Sequence, residues 1–254
     1  MTNDEVSKQL YQDARTHIPP ASALAEDAMK SVLGDRVNDK EYIKKSFSAL
    51  VSEIQVRAYR LYQEHEARAS GQAFRSVIRP LLAAQASADD LLEFLEQRFP
   101  ILDRFFLSLT QSRRQRAGKT FEIVVTTLFQ VLEYPHTSQP NLGDSTPDYV
   151  LPSIEWYSKY ATDCIILTCK RTLRERWRQV VTEGVTGKFY LATIDDGLST
   201  AELGRMRDRR VVVVVPAELK QREYEGDLNV ISFETFFEQH LDAELIRWRA
   251  NGAF

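Results

Sequence analysis

"DCIILTCKRTLRERWRQVVTE", residues 163–183, changes period in its middle. The first eight residues, Asp163 to Lys170, make a short apolar run closed by a charge, which reads as a buried strand. From Leu173 to Glu183 the apolar residues Trp177, Val180 and Val181 fall at helical spacing. A strand handing over to a helix is a building unit of α/β folds. The hand-over is crowded with charge: five cations lie between Lys170 and Arg178, with Glu175 among them and Glu183 closing the run. Upstream, "TPDYVLP" places Asp148 after a proline, 22 residues before Lys170.

Working outward, the second half of the chain repeats the pattern. "DYVL", "KFYLATI", "RVVVVVP" and "LNVIS" are short apolar runs bounded by turn residues, and read as further strands. "STAELGRMRDRR" and "FETFFEQHLDAELIRW" read as helices. Alternation of this kind predicts an α/β architecture, a central mixed β-sheet flanked by helices. The first half reads as helical. From Lys40 to Ala67 apolar residues recur at Ile43, Phe47, Leu50, Val51, Ile54, Ala58, Leu61 and Tyr62, the three-and-four spacing of one helix. A helix follows "IPPASA", and "FRSVIRPLL" makes another that breaks at Pro80. Ser87 is the N-cap of "SADDLLEFLEQRF", with acids in its first turn. "TFEIVVTTLFQVLEY" is long enough to be a buried helix despite its β-branched residues. The loop "PHTSQPNLGDSTP", residues 135–147, is the most linker-like piece, but it feeds directly into the first strand.

Composition narrows the classes. The chain has 254 residues, 43% hydrophobic and 27% charged, an ordinary globular mix with ample material for a core. A net charge of −3 is not that of a protein that coats nucleic acid without specificity, though a local basic patch suffices for DNA binding. No run approaches the apolar length of a membrane span. The opening "MTNDEVSKQLYQDAR" lacks the basic and apolar regions of a signal peptide. Cys164 and Cys169, five apart on one strand, point to opposite faces and cannot pair there, and no zinc spacing exists. These features predict a reduced, cytoplasmic protein with no membrane association. His17, His65, His136 and His240 are scattered and carry no ligand spacing.

Asp148, Lys170 and Glu183 form the chemical constellation. Asp148 opens or flanks a neighbouring strand, and Lys170 ends its own. Glu183 lies seven residues after Arg176, on nearly the same helix face, offset from the apolar stripe. Two carboxylates and a lysine at a sheet end suit metal-assisted phosphodiester hydrolysis. The carboxylates hold Mg2+, a hard cation, and the lysine orients water or stabilises charge on phosphorus. Arg174, Glu175 and Arg176 have the chemistry to read G·C pairs, since arginine forks match guanine and a carboxylate accepts from cytosine. By itself the set is built of common residues and has low specificity. A Pro-Asp pair is ordinarily a turn, and a charged helix ordinarily a solvated face.

The same residues resemble a known family. "PD" at 147–148, Lys170, "RERWRQV" at 174–180 and Glu183 are similar to the active-site and recognition segment of the EcoRII and PspGI branch of type II restriction endonucleases, in the PD-(D/E)xK nuclease superfamily. "SRRQRAGKTFE" at 112–122 resembles that branch's helix start, and "GKFYLATIDDGLS" and "VVVVVPAEL" resemble its next two strands. The resemblance covers roughly residues 112 to 240. It implies a restriction-endonuclease-like core over residues 112–254. It also implies a helical N-terminal region, residues 1–111, that packs on the core in one compact unit and serves dimerisation and DNA contact. The implied activity is Mg2+-dependent cleavage of double-stranded DNA at a CC…GG site, by a homodimer working alongside a cognate methyltransferase. The resemblance makes Asp148 and Glu183 the metal ligands, Lys170 the catalytic lysine, Glu122 an extra acid, and Arg174, Glu175 and Arg176 the base readers. Thr168 stands where the superfamily has an acid two residues before the lysine, so Glu183 takes over that role. Asp163, seven residues before Lys170, is at the wrong end of the strand to substitute.

Other signals are weaker. In some members of the branch an arginine and an aromatic four residues on hold a flipped base. Here Arg57 is followed by Leu61, with Tyr59 and Tyr62 as neighbouring alternatives, so central-base contact through Arg57, Tyr59 or Leu61 stays open. "AGKT" at 117–120 is no phosphate loop, because Arg113 stands where the first glycine is required. Arg113, Arg114, Arg116 and Lys119 are instead candidates for phosphate contacts. A basic cluster at a helix start opposes the helix dipole and needs a partner. Three rival readings remain: a DNA-binding relative without catalysis, a repair or mobile-element nuclease of the superfamily, and an unrelated α/β protein. Competent residues at all three catalytic positions weigh against the first, the "RERWRQ" segment against the second, and the rejected phosphate loop against the third.

Overall fold

Five consecutive valines, Val211–Val215, form strand β5 in the middle of the parallel part of a six-stranded sheet. The structure, a computed structural model, describes residues 2–81, 87–143, 146–173 and 186–254. Arg174, Glu175, Arg176 and Glu183 lie outside the described residues. The sheet order is β1 (Thr137–Ser138), β2 (Tyr149–Leu151), β3 (Ile165–Cys169), β4 (Lys188–Ala192), β5 and β6 (Val230–Ser232). The first three strands pair antiparallel and the last four parallel, so the sheet is mixed as expected. All five residues of β3 are buried, and four of the five of β5. Strands covered on both faces read as continuous apolar runs, which is why they stood out in the sequence.

Among the described residues the α-helices are α1 (Asn3–Thr16), α2 (Ala21–Leu33), α3 (Lys40–Lys45), α4 (Phe47–Ala73), α5 (Ala88–Gln97), α6 (Phe99–Val131), α7 (Ile154–Tyr160), α8 (Thr200–Asp208) and α9 (Ala217–Glu223). A last helical rod starts at Phe233–Thr235, passes through a π segment, Phe236–Leu241, and ends as Asp242–Ala250. Capping boxes fix three starts: Thr2 with Glu5, Ser87 with Asp90 and Ser199 with Glu202. Among the described residues no helix is long and apolar enough to cross a membrane. Cys164 and Cys169 are both free and buried.

The chain folds as two compact units. One comprises residues 1–28 and 56–120, and the other residues 29–55 and 121–254. In the first, Val6, Leu10 and Ala14 of α1 pack with Val77, Ile78, Ile101, Phe105 and Leu109. In the second, the sheet carries a core of Leu191, Val211, Val213, Val215, Leu203 and Met206. Gly187 lets β4 enter this sheet, because its φ is +148° and an added Cβ would stand 2.9 Å from Ile166 Cδ1.

Three expectations need correction. The helix expected across 40–67 is two helices, broken at Ser46. The second begins where the Glu234 carboxylate accepts hydrogen bonds from both the Ser48 backbone N–H and its hydroxyl, and Phe47 packs against Phe233 and Phe237. A cap supplied from 186 residues away has no local signature. The segment at 112–122 is not a helix start: α6 begins at Phe99 and runs through it. The basic residues at 113–119 therefore do not oppose a helix dipole, since the macrodipole acts within the terminal turns. The loop at 135–147 contains β1, a two-residue edge strand too short for any periodic signal.

Candidate active site

The site is built at the end of β3. Tyr149 on β2 pairs with Leu167 on β3, which brings Asp148, just before β2, beside the last residues of β3. There the Cys169 backbone N–H donates to Asp148 Oδ2 at 2.7 Å. Lys170, the next residue, continues the parallel pairing by donating its N–H to Ala192 O at 2.9 Å. Its ammonium lies 3.8 Å from Asp148 Oδ2 and 3.3 Å from Glu122 Oε1. Glu122 comes from α6, after the buried Phe121 and before the buried Val124 and Val125, so the apolar side of that helix fixes where the carboxylate stands.

Asp148, Lys170 and Glu122 are neither buried nor free: their side chains are 21%, 34% and 41% exposed. Two carboxylates facing one ammonium leave a net negative, oxygen-rich corner, the donor chemistry a hard divalent cation prefers. Beneath it, full burial pushes the Cys169 thiol well above its usual pKa, and the Asp148 charge adds to this. The thiol stays protonated and is no nucleophile. Thr168, 3% exposed, keeps a buried hydroxyl with no hydrogen-bond partner among the described residues. Among those residues no group of three or more His, Cys, Asp or Glu side chains is placed to hold a metal.

Asp163, at the opposite end of β3, accepts from Trp156 Nε1 at 2.9 Å and pairs with Arg247, so it takes no part in the corner around Lys170. In the helical unit the basic residues divide. Arg113 forms a forked pair with Glu66, its Nε donating at 2.9 Å and its Nη2 at 2.5 Å to Oε2. Arg116 donates to Pro19 O at 2.7 Å and stacks over the Tyr62 ring. Arg114 and Lys119 are exposed. Arg57 is exposed, Tyr59 stacks on Tyr62, and Leu61 packs against the cluster of Ile18, Leu24, Tyr62 and Ala69.

Sequence reasoning overlooked the Glu66 clamp and the role of the Cys169 N–H. Glu66 follows Tyr62 by four residues, a helical pairing, and their side chains do meet. That spacing was the one available signal. A backbone donor has none.

The family described as EcoRII C terminal matches residues 61–237. The chain is 34% identical over 148 residues to the type II restriction enzyme SsoII of Shigella sonnei, covering 54% of this chain and 48% of that enzyme. It is 29% identical over 141 residues to the type II restriction enzyme EcoRII of Escherichia coli, covering 52% and 35%. The matched region thus spans about half or less of these curated relatives. Among solved structures, metal-depleted Ecl18kI in complex with uncleaved, modified DNA superposes with a TM-score of 0.84 at 24% identity, over 98% of this chain and 86% of that one. The PspGI–substrate DNA complex superposes with a TM-score of 0.64 at 20% identity, over 92% and 96%. At these identities the likeness shows a shared fold.

Proposed function

Since the chain belongs to the EcoRII C-terminal family and has the fold of the PD-(D/E)xK restriction endonucleases, we propose that it is a type II restriction endonuclease that hydrolyses double-stranded DNA at a CC…GG site. The observation that carries this reading is the corner at the end of β3, where Lys170 lies within 3.8 Å of both Asp148 and Glu122. A lysine held between carboxylates at this range is positioned by them. It can then orient the attacking water and stabilise the charge that develops on the phosphate. The Cys169 N–H holds Asp148 Oδ2, which fixes the carboxylate at the end of β3.

The oxygen donors suit Mg2+, which Asp148 and Glu183 would hold, with Glu122 as the nearby extra acid. The chemistry a bound Mg2+ supplies there is neutralisation and polarisation of the scissile phosphate. Arg174, Glu175 and Arg176 follow Lys170 closely in sequence and are assigned to base reading. Phosphate contact falls chiefly to Arg114 and Lys119, because Arg113 and Arg116 already serve intramolecular partners. A palindromic site is read by two equal halves, which calls for a homodimer. Residues 1–111 supply the dimer and DNA contacts, and a cognate methyltransferase protects host sites.

The test is digestion of plasmid DNA with Mg2+, mapping of the ends, and repetition with Lys170→Ala. Discrete fragments ending at CC…GG sites, absent with the variant, are expected. A smear would point to a non-specific nuclease, and binding without cleavage to a regulatory relative. A Glu183→Ala variant that still cuts would remove Glu183 from the metal assignment.

A further inference from the structure

Between Lys170 and the base-reading run lie only Arg171, Thr172 and Leu173. These residues have no regular secondary structure, yet the stretch from Lys170 to Leu173 is held at three backbone points, once by the end of β4 and twice by the loop that follows it. Lys170 N–H donates to Ala192 O at 2.9 Å. The Thr193 hydroxyl donates to Arg171 O at 3.0 Å. Leu173 N–H donates to Asp195 Oδ2 at 2.7 Å. The Leu173 side chain, fully buried, packs in the cluster with Leu191, Leu198 and Leu203.

Asp195 is the unusual member. Only 9% of it is exposed, although it sits in a turn where a solvated aspartate would serve. Its Oδ1 does the ordinary local work, accepting from Gly197 N–H at 3.0 Å. Its Oδ2 reaches a donor 22 residues away. Burying a carboxylate is costly unless its oxygens are satisfied, and here both accept backbone N–H groups. The loop that holds it is braced in turn. Asp195 N–H donates to Thr193 Oγ1 at 3.0 Å, and the Tyr224 hydroxyl donates to Asp195 O at 2.6 Å and accepts from Leu198 N–H.

We propose that Asp195 is a positioning residue that fixes where the base-reading run leaves the catalytic strand, by holding Leu173, the residue before Arg174, at a set place relative to Lys170. It touches no substrate and acts through the backbone. Its contribution is to keep reading and cutting in one register, so that cleavage depends on correct outer base pairs. This rests on the nuclease reading above.

The test compares the parent chain with Asp195→Asn and Tyr224→Phe. The asparagine keeps the local turn but has only one acceptor oxygen, so Leu173 N–H loses its partner. Tyr224→Phe loosens the same loop without touching that bond. Three readouts are taken: hydrogen exchange at the Leu173 amide, kcat and KM on the mapped site, and cleavage of duplexes with one outer pair replaced. With Asp195→Asn, faster exchange at Leu173, a rise mainly in KM and about a tenfold loss of discrimination are expected. With Tyr224→Phe, the loss of discrimination is smaller than with Asp195→Asn, because the bond to Leu173 N–H is kept. Faster exchange with unchanged discrimination would overturn the positioning role, as would an equal loss in Tyr224→Phe. A parent chain that neither cuts nor selectively binds any duplex would instead sink the nuclease reading, and the positioning role with it, whatever the exchange data show.

Discussion

Glu66 and Asp148 each face a cation, but the two clusters are built in opposite ways. Glu66 is 5% exposed and receives a two-pronged Arg113 guanidinium as well as the Tyr62 hydroxyl. Burial and the hydrogen bond to Glu66 raise the Tyr62 pKa above its ordinary value, and Glu66 in turn holds Arg113 charged. Asp148 is 21% exposed, and its cation is a lysine 3.8 Å away that it shares with Glu122. A planar guanidinium locks a carboxylate in one geometry, whereas an ammonium is a point charge on a flexible stem. In the first cluster both carboxylate oxygens are already bonded. The second keeps oxygens and a positive charge within reach of a ligand. A closed clamp and an open corner can thus be told apart by what they leave exposed.

This contrast can be broken at either end. The largest expected effect is in activity: Lys170→Met should lower DNA cleavage by about 1,000-fold. Its thermal unfolding should stay within about 0.5 kcal/mol of the parent, because a partly exposed ion pair contributes little. A large loss of stability would show that the corner is a structural clamp after all. The next effect is in stability alone. Glu66→Ala leaves Arg113 and the Tyr62 hydroxyl without their partner, and chemical denaturation should show a loss of roughly 2–3 kcal/mol. The lower end of the range for buried pairs applies because Arg113 is 43% exposed.

The smallest effect sharpens the comparison. Tyr62→Phe should cost about 1 kcal/mol at neutral pH. Tyr62 is an acid whose pKa is raised in the fold, so the folded state keeps its proton while the unfolded chain loses its own above about pH 10. The stabilisation is complete below that pH and declines as pH rises further. Stability measured between about pH 9 and 11, around the ordinary tyrosine range, should fall less steeply in the variant. An unchanged slope would detach Tyr62 from the clamp.

The basic run at 112–119 shows that residue type alone does not reveal intramolecular partners. Arg113, Arg114, Arg116 and Lys119 read as one phosphate-binding group, but in the folded chain two of them are spent on Glu66 and Pro19. Glu66 lies 47 residues from Arg113, so no spacing rule connects them. Ser46 makes the same point: the helical period runs unbroken through it, and the cause of the break, Glu234, lies far along the chain.

What the sequence determined by itself is everything carried by local period and short spacing. The buried strands, the Ser87 cap and the order in which Asp148 and Lys170 arrive are of this kind, because alternation and helical spacing are properties of neighbouring residues. What only the tertiary structure decided is which charges meet. That Asp148 rests on the Cys169 N–H, that Glu122 reaches Lys170, and that Asp195 holds Leu173 depend on pairings across 21, 48 and 22 residues. Backbone donors are the same at every position but proline, so their use becomes visible only when strands and loops have been brought side by side.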